Sequence, residues 1–235
     1  MRNYFTFGGL DSRNFGIYIS GSGVYNAPER DYERVSVAGR DGDLLLSNQR
    51  LNNIKLTYPA FVYTNFKQNI AAMRDAFLSL TGYQQLTDTY HPDEYRMAYF
   101  EGGTEINPTK KLEAGDFKLS FMCKPQRYLL TGATPAQVAS GDTLTNPTQQ
   151  PARPLIRVYG QGTLNIGSYT VTVGNHGQSY IDIDCDIMDC FNGTQNLNQY
   201  VILSNHTFPT LKAGANGVTF TGITSVEITP RWWRA

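Results

Sequence analysis

Ile181-Asp182-Ile183-Asp184-Cys185-Asp186-Ile187 alternates apolar and acidic residues without a break. A period of two sends successive side chains to opposite faces of an extended chain, so this run predicts a strand with one apolar face and one carboxylate face. The same pattern continues on both sides of it. Ile156, Val158 and Tyr159 open the region. Leu164 and Ile166, then Val171 and Val173, flank Gly167-Ser168 as a hairpin. Asn192-Gly193 and Asn216-Gly217 read as turns, Val218 with Phe220 as a short strand, and Val226 with Ile228 as the last one. Short strands with regular glycine turns and no helical period predict a β-sandwich over 145–235.

The first half, 1–135, adds one helix to a β pattern. Phe15, Ile17 and Ile19 alternate with Gly16, Tyr18 and Ser20. Tyr95–Phe100 and Phe117–Cys123 read as further strands, the second ended by Lys124-Pro125 because proline cannot donate to a ladder. Val35 and Val37, then Asp41-Gly42, then Leu44-Leu45-Leu46 predict a hairpin closed by a tight type I′ turn. Phe66, Ile70, Met73, Phe77 and Leu80 recur at helical spacing and place a helix over 65–81, with Thr64 or Asn65 as N-cap and Gly82 as stop. Between the halves, 131–154 collects Gly132, Pro135, Gly141, Pro147, Pro151 and Pro154 and reads as a linker.

The totals narrow the function classes. Only 17% of the 235 residues are charged, while Gly, Tyr and Phe number 22, 15 and 12, which suits pleated, half-buried surfaces. Twenty basic residues balance twenty acidic ones, so net charge supports neither sequence-specific nucleic-acid binding nor an anionic membrane. No apolar run reaches the roughly 20 residues of a membrane helix, and no signal peptide is expected. Cys123, Cys185 and Cys190 are an odd set. Cys185 and Cys190 could pair, but buried reduced thiols are the expectation.

Candidate chemistry is sparse. Asp182, Asp184 and Asp186, about 7 Å apart along a strand, with Asp189 nearby, could hold a hard cation such as calcium, but they suit a solvated strand face better. His91, His176 and His206 lie far apart in sequence and lack a metal motif. Gly21-Ser22-Gly23 lacks the flanks of a nucleophile elbow. Gly160-Gln161-Gly162 has no helix behind it to receive a phosphate. No catalytic residue and no cofactor is expected. The interface candidates are Gly39, Arg40, Asp41 and Gly42 at the hairpin tip, and Arg231, Trp232 and Trp233 near the end. Arginine and tryptophan dominate interface hot spots. One tryptophan is expected in the core and the other at an edge or a partner.

In order and spacing these segments resemble the distal tail proteins of bacteriophages with long non-contractile tails. The resemblance runs through Phe5-Thr6-Phe7-Gly8-Gly9, Ser12, Asn14 and Phe15-Gly16-Ile17, with Gly8 where asparagine is common and Asn14 where aspartate is common. It continues through Gly39-Arg40-Asp41-Gly42, Phe121–Pro125 with Tyr128, Pro154–Gly160, Phe208–Leu211, Gly214 with Asn216, and Pro230-Arg231-Trp232. It implies a barrel-like β domain with one helix and a galectin-like β-sandwich. It also implies a homohexameric ring at the virion tail tip, assembled in the host cytoplasm, as part of the baseplate. Its implied partners are the tail tube protein, a tail-associated fibre or lysin protein and, in some phages, receptor-binding proteins. The residues themselves leave a second possibility, a carbohydrate-binding β-sandwich adhesin whose aromatic faces stack on sugar, and a weaker third, a cell-wall hydrolase.

Overall fold

The computed structural model describes residues 2–21, 23, 25–102, 106–108 (backbone only) and 113–235. Ser22, the middle of the Gly21-Ser22-Gly23 turn, lies outside them. The fold is mainly β, with one α-helix among the described residues. The chain divides into two compact units, residues 1–127 with Ala235, and Tyr128–Arg234.

In the first unit one sheet runs, neighbour to neighbour, through Leu10–Asp11, Phe5–Phe7, Gln84–Asp88, Glu94–Tyr99, Gly115–Leu129, Ile54–Val62 and Ile17–Ile19. A bridge from Asn3 to Ile19 links its two ends, so the sheet is curled like a half-barrel. Alternation in Ile54–Val62 puts Leu56, Tyr58, Ala60 and Val62 inside. In Gly115–Leu129 it does the same for Phe117, Leu119, Phe121 and Cys123. The strand does not stop at Pro125. Its pairing with Ile54–Val62 ends at Cys123 opposite Ile54, so the proline sits where that neighbour asks for no N–H.

The helix spans Phe66–Ser79 and buries Phe66, Ile70, Met73 and Phe77 against the sheet, as their spacing requires. Its N-cap is Asn65, one of the two residues read for that place, but without the side-chain bond. Asn65 adopts a left-handed conformation and caps nothing with its side chain; its carbonyl takes the first helical bond, from the Asn69 N–H. At the other end Leu80 N–H turns back to Phe77 C=O, and the chain leaves through Gly82 at φ +70°. Phe77 is the centre of the core, with Phe7, Phe100, Phe15 and Phe5 edge-on to it at 5.3, 5.6, 5.8 and 6.0 Å.

The second unit is built on two long antiparallel strands, Leu155–Ile166 and Gly214–Thr229. Their register slips between Tyr159 and Thr163, where Gly160 and Gly162 both have positive φ. A Cβ on Gly162 would run into the Thr221 carbonyl, so only glycine permits this bulge. Before the slip, Leu155–Val158 pairs with Ile181–Asp184; after it, Gly162–Ile166 pairs with Tyr169–Val173. Both halves send their apolar side chains into one core. Ile156, Val158, Ile181 and Ile183 come from the first half, and Leu164, Ile166, Val171 and Val173 from the second. The Gly167-Ser168 hairpin is formed as read, with Ile166 opposite Tyr169.

Three expectations are corrected here. Residues 131–154 are not a linker: Ala136–Val138 and Thr143–Asn146 pair with Gly214–Thr229, and Pro135, Pro147, Pro151 and Pro154 fall outside these strands. Asn216-Gly217 is not a turn but lies inside the long strand, where the buried Asn216 amide bonds the backbone of Leu144, Lys212 and Gly214. The Ile181–Ile187 alternation breaks at Asp184. Its carboxylate accepts the N–H groups of Asp186 and Ile187, an Asx turn that folds 185–188 into a hairpin and leaves Ile187 exposed.

Candidate assembly surface

Arg30–Val35 and Leu44–Leu51 form a two-stranded sheet of their own, apart from the curled sheet. Val35 opposes Leu44, Arg34 opposes Leu45, Glu33 opposes Leu46, and Tyr32 opposes Ser47. Directly opposed residues share a face. Val35, Leu44 and Leu46 therefore lie on one face, and Tyr32 and Leu45 on the other. No residue from Arg30 to Leu51 is buried; Leu45 and Leu46 are 54% and 46% exposed. An isolated two-stranded ribbon is marginal in water, and one that carries leucines on both faces gains when they are covered. Asp31 and Arg50 pair across its base at 2.6 Å, and that bond lowers the Asp31 carboxyl pKa.

Gly39, Arg40, Asp41 and Gly42 sit at the far end of this arm, all exposed. The connection is not the two-residue type I′ turn expected. It is an eight-residue loop, 36–43, with a turn closed by Arg40 N–H to Val37 C=O. Gly39 and Gly42, not Asp41, take the positive φ angles, +78° and +76°. The sequence pattern found the glycines but misplaced the strand ends, because Val37 looked like a strand residue. The arm's apolar faces were missed altogether. The signal was present: three consecutive leucines break the alternation and put leucine on both faces.

The carboxy-terminal candidates are engaged inside their own unit. Trp232 is 6% exposed and packs in the core beside Gly132. Trp233 is half-buried, and its indole N–H donates to Pro151 C=O at 3.0 Å. Arg231, in the left-handed region at φ +57°, donates Nη1 and Nη2 to the two Asp184 oxygens at 2.7 and 2.9 Å. Burial alone would raise the Asp184 pKa, but the Arg231 bonds and charge prevail and lower it.

Asp182 likewise receives a two-point contact from Arg157, at 2.7 and 2.9 Å, and Arg157 lies against the Tyr180 ring at 4.1 Å. Asp186 faces Arg153 at 3.7 Å. The acidic stripe is thus a ladder of arginine pairs. Among the described residues no group of three or more His, Cys, Asp or Glu side chains could hold a metal ion. These arginines are 25 or more positions away from their partners for Asp182 and Asp184, so no local pattern announced them. The three thiols are buried and unpaired, and burial pushes Cys123 and Cys190 up to about 12.

The fold defines a mainly β protein of two compact units with a solvent-exposed β arm on the first. It is similar along its whole length to a solved structure, the Dit protein (gp 19.1) of SPP1, described as a paradigm of the hub adsorption apparatus in phages infecting Gram-positive hosts. The TM-score is 0.68 at 12% identity, covering 97% of this chain and 98% of that one. No family profile and no curated protein matches the sequence.

Proposed function

We propose that this protein is a structural hub of a bacteriophage tail tip, a subunit of a homohexameric ring at the virion tail end, with no catalytic role. The arm carries this reading. Its leucines are exposed on both faces of a ribbon that gains little stability alone, so it suits insertion between neighbouring copies. A contact between different surfaces of successive copies closes into a ring when the rotation fits. Gly39–Gly42 then lie at the leading end, where Arg40 can fork onto a neighbour's carboxylate. The shared fold with the SPP1 hub protein supports the same role. On this reading the ring joins the tail tube protein to the tail-associated fibre or lysin protein and carries receptor-binding components. The second unit serves as a galectin-like outer module. The adhesin alternative loses one of its aromatic residues, since the buried Trp232 offers no face to a sugar.

Light scattering across a concentration series tests the ring. The expected mass rises toward six times the 26.3 kDa chain, while a Leu44→Ser/Leu46→Ser double variant stays monomeric and melts like the wild type at dilutions where the wild type is also monomeric. A wild-type chain monomeric throughout the series overturns self-assembly. A double variant that melts below the monomeric wild type overturns the assignment of these leucines to a contact between copies.

A further inference from the structure

The turn between Gln84–Asp88 and Glu94–Tyr99 gathers buried polar groups that their neighbours only partly satisfy. Asp88 accepts the Tyr58 hydroxyl at 2.6 Å and the N–H groups of Tyr90 and His91 at 2.9 Å each. Its Oδ1 also lies 3.0 Å from Nδ1 of His91. A carboxylate only accepts, so in the neutral imidazole the proton sits on Nδ1 and Nε2 is a buried acceptor. Nε2 has no partner among the described residues. Neither has Nη1 of Arg96, a side chain in a residue only 7% exposed. His91 and Arg96 line one small cavity together with Tyr58, Leu86, Asp88 and Glu94. The space open to the centre of a water molecule there is about 10 Å³, close to what a single water needs.

The two unmatched atoms are opposite in kind, a cationic donor and a neutral acceptor. An anion would suit Arg96 but would meet the lone pair of His91 and the carboxylates of Asp88 and Glu94. A cation would be repelled by Arg96. A neutral molecule that both donates and accepts satisfies both atoms. We propose that one water molecule is bound in this cavity, accepting from Nη1 of Arg96 and donating to Nε2 of His91. Its second hydrogen is directed to the Glu94 carboxylate, which also faces Arg127 at 3.4 Å. That gives the three hydrogen bonds usual for a buried water. The water fixes the ring that the exposed Tyr25 meets edge-on at 5.0 Å.

The test uses the full chain. A crystal structure fine enough to show solvent should contain one spherical peak within about 3.2 Å of both atoms, and two-bond proton–nitrogen NMR should show His91 protonated on Nδ1 with Nε2 hydrogen-bonded. Arg96→Met, similar in length but without donors, should lose the peak and melt lower. An empty cavity in the wild type, anomalous density there after bromide exchange, or a proton on Nε2 would each overturn the proposal. If Arg96→Met does not fold, the wild-type density and the His91 spectrum decide alone.

Discussion

Phe77→Ala is the sharpest probe of how the first unit is held together. Phe77 is fully buried and meets four other phenylalanine rings edge-on within 6.0 Å. Truncating a buried phenylalanine costs about 3–5 kcal/mol. The lost ring contacts, each worth about 0.5–1.5 kcal/mol beyond area and not fully additive, place this site near the top of that range. For a unit of 128 residues, a loss of that size lowers the melting temperature by about 11–19 °C. Two signals separate the units. The helix, in the first unit, reports through far-UV ellipticity, and both tryptophans lie in the second unit. The helix signal should melt early, and the tryptophan emission should shift less. A helix transition left in place by Phe77→Ala would refute the packing of the Phe66–Ser79 stripe on the sheet. Phe77→Leu, which keeps most of the volume, should cost only about 1–2 kcal/mol.

Other outcomes follow from named contacts. Arg231→Ala should destabilise the second unit by about 3 kcal/mol, because it strands the Asp184 carboxylate, and tryptophan-monitored denaturation measures it. The Asp184 pKa is lower in the folded state than its ordinary 3.8, so its contribution is present above that value and fades as pH falls through the folded value; a pH series should show an acid loss that Asp184→Asn lacks. Gly162→Ala should unfold the second unit or lower its stability by several kcal/mol, since the added methyl meets the Thr221 carbonyl. Arg40→Ala should weaken association more than folding, read by light scattering and melting of the same sample. Cys123 and Cys190, buried with thiols near 12, should resist a thiol reagent at neutral pH until denaturant is added.

Local pattern alone was enough for whatever depends on local geometry. The helix stripe from Phe66 to Phe77 follows from a period of 3.6, the Ile181–Asp184 strand from a period of two, and the Gly167-Ser168 hairpin from glycine's freedom at positive φ. The mainly β class follows from these together. Tertiary structure decided what depends on partners distant in sequence. Thr143–Asn146 reads as linker because an edge strand has no apolar core pattern of its own; its ladder partner lies some seventy residues away at Gly214. Asp182, Asp184 and Asp186 read as an open acidic face because their arginines are supplied by the neighbouring strand, the far end of the chain and a preceding loop. Asp88, His91 and Arg96 gave no signal of a shared cavity, since its lining also needs Tyr58 from a strand about thirty residues back. The arm is the reverse case. Its leucines were visible in the sequence, but that they have no cover within their own chain is a property of packing, which periodicity does not contain.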